Sequence, residues 1–79
     1  MALIGHVEIE KRLGYHQATP ETMQLHKKVR AELVATANFL DSILPDSREK
    51  ALVMTHLQEA AMWANAAIAC NLAPLTLAE

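Results

Sequence analysis

Leu44-Pro45-Asp46-Ser47-Arg48-Glu49 is the stretch on which the architecture turns. Pro45 ends any helix that precedes it, because the residue before a proline is pushed out of the helical region and the ring has no N–H to donate. Asp46 followed three residues later by Glu49 has the spacing of a capping box, in which each side chain satisfies the other's backbone N–H, so a second helix is expected to start at once. A connection of only two to four residues forces the two helices to run antiparallel.

Working upstream, Ala18-Thr19-Pro20-Glu21 marks the start of the first of these helices. The Thr19 hydroxyl can cap it, Pro20 suits the first helical position, and Glu21 complements the positive helix end. A first arm over residues 20–44 follows, with Leu25, Val29, Leu33, Ala37, Leu40 and Leu44 tracing an apolar stripe at three- and four-residue spacing. Downstream, no Gly or Pro interrupts residues 47–71, and Pro74 supplies the stop, which defines a second arm of similar length. In residues 1–18, Ile4 to Leu13 reads as a short helix with Gly14 just past its end, although Val7-Glu8-Ile9-Glu10 also alternates as a strand would. Residues 72–79 read as a loose tail. The expected fold is all-α: one domain, a short N-terminal helix followed by a long antiparallel helical hairpin.

Composition agrees with that reading. The chain has 79 residues, about half of a ~150-residue domain, which leaves no room for a second one. Its residues are 52% hydrophobic but only 4% aromatic, so the packing must come from aliphatic side chains and alanine, a helix composition. Two Gly and three Pro are too few for a fold of many short strands. A net charge of −2 argues against a binder of polymeric DNA or RNA. A lone cysteine, Cys70, can form neither an internal disulfide nor a cysteine-rich zinc site. The N-terminus lacks the features of a signal peptide, and the uncharged run over residues 60–73 is shorter than the ~20 residues of a membrane span. A soluble, cytosolic protein is expected.

The second arm carries apolar residues around most of its circumference: Ala51, Leu52, Met54, Leu57, Met62, Trp63 and Ile68 do not fit one face. A helix apolar all round needs cover on all sides, and one partner arm cannot give it. So small a core rarely supplies more than ~3–5 kcal/mol. Self-association into a compact homo-oligomer is the expected remedy, and the alanines between Ala60 and Ala69 permit close helix approach.

Few residues invite chemistry. His6, His16, His26 and His56 include no i, i+4 pair, and His56 with Glu59 lacks a second copy, so no metal is expected. Cys70 lies near a helix C-terminus, where the dipole disfavours a thiolate, and no phosphate loop or paired acid and base is evident, so an enzyme is the weaker reading and no cofactor is expected. The informative cluster is His26-Lys27-Lys28-Val29-Arg30 on the first arm, with Gly14-Tyr15-His16 just upstream. Lys27 and Arg30 share a helix face. Repeated by symmetry, such cations and an aromatic ring can form a pocket for an anionic, base-bearing ligand at a subunit boundary. A solvated basic turn balanced by Glu32 and Asp41 explains the same spacing equally well.

Ser47-Arg48-Glu49-Lys50-Ala51-Leu52, Glu59-Ala60 and above all Met62-Trp63-Ala64-Asn65-Ala66-Ala67-Ile68-Ala69 resemble the phage anti-CBASS sponge family known as anti-CBASS protein two, whose hairpin domain also occurs in a sponge against Thoeris immunity. The resemblance covers roughly residues 13 to 70. It implies a homohexamer that binds cyclic dinucleotide second messengers without cleaving them, in the cytoplasm of the infected bacterial host. It further implies Tyr15, beside His16, as the residue that stacks on a base, and Lys27, Lys28 or Arg30 as the phosphate contact. The family's second site, for cyclic trinucleotides, uses an Arg where this chain has Cys70, so dinucleotides are the expected ligands. The alternative is a structural or protein-interaction helical oligomer with no small-molecule ligand.

Overall fold

The computed structural model describes residues 4–72 and 75–76. In chain order it contains α1 (His6–Leu13), β1 (Tyr15–His16), α2 (Pro20–Ile43), α3 (Arg48–Asn71) and β2 (Leu75–Thr76). The two long helices, 24 residues each, pack along one another as the arms of a hairpin, and α1 lies against α3.

Local chemistry explains each boundary. Thr19 and Thr22 close a reciprocal capping box: the Thr22 N–H donates to Thr19 Oγ1 at 3.1 Å, and the Thr19 N–H donates to Thr22 Oγ1 at 2.8 Å. Pro20 occupies the first turn, where its missing N–H is unneeded. α2 ends where the Leu44 N–H reaches the Leu40 carbonyl, immediately before Pro45. The capping box expected between Asp46 and Glu49 is not formed. Ser47 caps α3 instead, accepting from the Lys50 N–H at 3.1 Å. Asp46 is drawn away by the Lys50 ammonium, which reaches Asp46 Oδ1 at 3.0 Å and Asp41 Oδ1 at 3.1 Å. Since Asp41 lies on α2, this ion cluster ties the arms together at the hairpin tip.

Along the seam, Val29, Leu33, Ala37, Leu40 and Leu44 are half-buried, as are Val53, Met54, Leu57, Ala61 and Ala64 on α3. Leu25, expected on this stripe, is instead exposed. His26 takes its place, and its Nδ1 lies 2.7 Å from the Asn65 side-chain oxygen of α3. A carbonyl oxygen only accepts, so the imidazole donates across the seam.

The chain measures 49 × 37 × 17 Å, and two long arms with one short helix enclose little interior. Among the described residues only Ile68 and Thr22 are buried. The radius of gyration is 16.4 Å, against ~11.6 Å for a compact domain of this length. The chain exposes 6420 Å², against ~4,700 Å² for a globular monomer of this mass. Phe39, Met62 and Trp63 each stay more than 60% exposed, so the apolar sides of both arms are uncovered by the chain itself.

Two residues of the expected tail pair with β1. Leu75–Thr76 returns to β1 and pairs with it antiparallel, Tyr15 opposite Thr76 and His16 opposite Leu75. The remaining tail positions, 73–74 and 77–79, lie outside the described residues. Among the described residues, no helix is long and apolar enough to cross a membrane.

Candidate functional site

Two segments carry the residues singled out by the sequence. The first is the β1 loop. Gly14 closes α1 by donating its N–H to the Glu10 carbonyl at 2.7 Å, and a side chain there would collide with that same oxygen. The chain then turns into β1, where Tyr15 is 68% exposed. The next residue is anchored. His16 Nε2 lies 2.7 Å from the Lys11 carbonyl and must donate to it, which leaves Nδ1 of a neutral ring as an acceptor. That Nδ1 is buried and has no hydrogen-bond partner among the described residues. Tyr15 thus projects from a backbone fixed on one side by α1.

The second segment is the outer side of α2. Lys27, Lys28 and Arg30 are all exposed there. Lys27 and Arg30, three residues apart, line one open groove along the helix together with Ala31, Val34, Ala35 and Asn38, a space of about 590 Å³. Lys28 faces away from it.

Charge pairing separates these cations from the structural ones. Arg12 is held by Glu8 at 2.9 Å, and Lys50 by Asp41 and Asp46. Among the described residues none of Lys27, Lys28 and Arg30 has a carboxylate within ion-pair distance. Asp41 is engaged by Lys50, and Glu32 makes no ion pair among the described residues. Lys27 and Arg30 present N–H donors to the solvent along a surface completed by Ala31, Val34, Ala35 and the amide of Asn38.

One chain does not bring all five candidates together. The α2 groove holds Lys27 and Arg30 but neither Tyr15, His16 nor Lys28. It is lined by a single helix, so it offers one wall of a pocket and leaves the opposite side open.

The sequence reading did not find the His26–Asn65 pair. His26 belongs by sequence to the basic cluster, yet it faces the seam, where Asn65 is half-buried; Asn38 is exposed in the groove. The available signal was position, since His26 falls four residues after Thr22 and three before Val29, on the buried stripe. His56 Nδ1 and Glu59 Oε2 are 3.9 Å apart on the surface. No group of three or more metal-ligating side chains occurs among the described residues.

The family model described as the Acb2/Tad1 hairpin domain matches residues 5–69, which takes in α1, β1, α2 and nearly all of α3. No curated protein and no solved structure matches the chain. The matched span is most of the protein and coincides with the hairpin that presents Lys27 and Arg30. The chain belongs to the Acb2/Tad1 hairpin-domain family.

Proposed function

We propose that this protein is an immune-evasion sponge: it binds cyclic dinucleotide second messengers in the cytoplasm of an infected bacterium and withholds them without cleaving them. Family membership supports the anti-defence sponge role in general. The observation that carries the ligand class is the pairing pattern on α2, where Lys27 and Arg30 line one groove and no carboxylate among the described residues engages them. A cyclic dinucleotide has two phosphates and two bases. A site built by two symmetry-related chains, each giving cations from α2 and an exposed Tyr15, would match both the charge and the stacking surfaces.

The same reading accounts for the surface left uncovered. The chain exposes roughly 1,700 Å² more than a globular monomer of its mass, about what two standard interfaces of ~800 Å² per partner would remove. A homohexamer of hairpins provides such interfaces, and it places a second wall opposite the one-sided α2 groove. Sequestration requires slow release and no bond-making, in keeping with a site of cations and one aromatic rather than a nucleophile and base. At the end of α3, half-buried Cys70 contributes no positive charge, so cyclic trinucleotides should bind more weakly than dinucleotides.

Calorimetric titration with cyclic di-GMP, cyclic GMP–AMP and cyclic tri-AMP, followed by heating and chromatography of the released nucleotide, tests this. The reading predicts tight dinucleotide binding and full recovery of intact ligand. Linearised or hydrolysed nucleotide would make the protein an enzyme, and an oligomer that binds none of the three would make it a structural or interaction module.

A further inference from the structure

The family match ends at residue 69, yet the chain returns after α3 to form β2, whose two residues pair with Tyr15 and His16. β1 is thereby gripped from two sides. On one, His16 Nε2 donates to the Lys11 carbonyl in the last turn of α1, at 2.7 Å. On the other, the backbone of Leu75–Thr76 runs antiparallel to it. Three residues, Gln17, Ala18 and Thr19, then connect β1 to the start of α2, the helix that bears Lys27 and Arg30. An exposed aromatic ring is useful for stacking only if its backbone is held, because each group ordered on binding subtracts from affinity.

We propose that β2 is a backbone strap that positions Tyr15 for the ligand, so that Leu75–Thr76 serve the binding site although they lie outside the family's matched hairpin. The inference rests on Tyr15 as the stacking residue of the proposed sponge. A two-stranded ribbon of two residues per strand is weak by itself, so β1 and β2 open at little cost, and a base stacked on Tyr15 holds them closed. In an antiparallel pair the opposed residues alternate between hydrogen-bonded and non-hydrogen-bonded positions, so one of the two β1 residues exchanges its backbone bonds with β2.

The test is the full-length double variant Leu75→Pro/Thr76→Pro, which removes both strap N–H groups and leaves every helix intact. Two readouts are taken: amide hydrogen exchange at Tyr15 and His16, and calorimetry with cyclic di-GMP. The strap predicts that one β1 amide is protected in the parent, that cyclic di-GMP increases this protection, and that the variant loses it. It also predicts an affinity loss up to that of Tyr15→Ala, roughly 5- to 150-fold. Adding Tyr15→Ala to the variant should then cost little more, because both changes disable one stacking contact. If the parent binds and the double-proline variant binds equally well, the strap is refuted while the sponge reading stands. If the parent binds no cyclic dinucleotide, the sponge reading falls and the ligand role of the strap falls with it, whatever the exchange data show.

Discussion

Replacing His26 by Leu removes the one side-chain hydrogen bond among the described residues that joins the arms away from the hairpin tip, between residues 39 apart in sequence. His26 Nδ1 and Asn65 Oδ1 are 2.7 Å apart and both residues are half-buried in the seam, so the variant leaves the Asn65 amide partly desolvated and without its donor. An abandoned buried partner costs about 1–3 kcal/mol, and half-burial places this pair in the lower part, about 1–2 kcal/mol. Asn65→Leu strands His26 and should cost a similar amount. The combined His26→Leu/Asn65→Leu variant leaves no unsatisfied group and closes an aliphatic seam, so it should return to parental stability or exceed it. Urea unfolding at one fixed protein concentration measures this, because assembly would otherwise shift the midpoint. With a urea slope of ~2 kcal/mol per M, each single variant should lower the midpoint by on the order of 0.5–1 M. Parental stability in the single variants, or single costs that simply add in the double, would refute the assignment of this pair as a hairpin latch.

Further outcomes follow from the same geometry. Hydrogen bonds that the Lys50 ammonium donates to Asp46 and then Asp41 raise its pKa above the ordinary 10.5, so the stability this cluster contributes is present below pH 10.5 and is lost as pH climbs through the higher folded value. Urea midpoints should therefore fall on the alkaline side, and Lys50→Met should remove that part of the slope. Gly14→Ala should cost about 1–3 kcal/mol in the same assay, since its Cβ would collide with the Glu10 carbonyl oxygen. Lys27→Ala and Arg30→Ala, which remove groove cations, should each weaken cyclic di-GMP binding by about 1.5–3 kcal/mol in calorimetry, whereas Lys28→Ala should change it little.

What the sequence disclosed and what it hid differ in range. Thr19-Pro20 and the pair Pro45 and Ser47 act on backbone groups within four residues, so the ends of α2 and α3 could be read to within a residue. Asp46 misled because it and Ser47 are both competent caps. The choice was made by the Lys50 ammonium, whose other partner, Asp41, arrives only when the hairpin closes. Apolar periodicity likewise selected Leu25 over its neighbour His26, because a half-buried imidazole is visible as a seam residue only once Asn65 stands opposite. A two-residue strand such as Leu75–Thr76 has no periodicity at all. For the candidate site, Lys27 and Arg30 at i, i+3 were legible as one face; that this face lacks carboxylate partners among the described residues, and that its groove has a single wall, required the packed chain.

Native mass spectrometry of the protein incubated with cyclic di-GMP or cyclic GMP–AMP tests the central claim most directly, because one spectrum reports both the assembly and the intact ligand. The account predicts a species of six 8.7 kDa chains carrying unmodified cyclic dinucleotide, with the ligand lost when Lys27 and Arg30 are both changed to Ala. A ligand-free 8.7 kDa monomer at micromolar concentration, folded and helical, would contradict it.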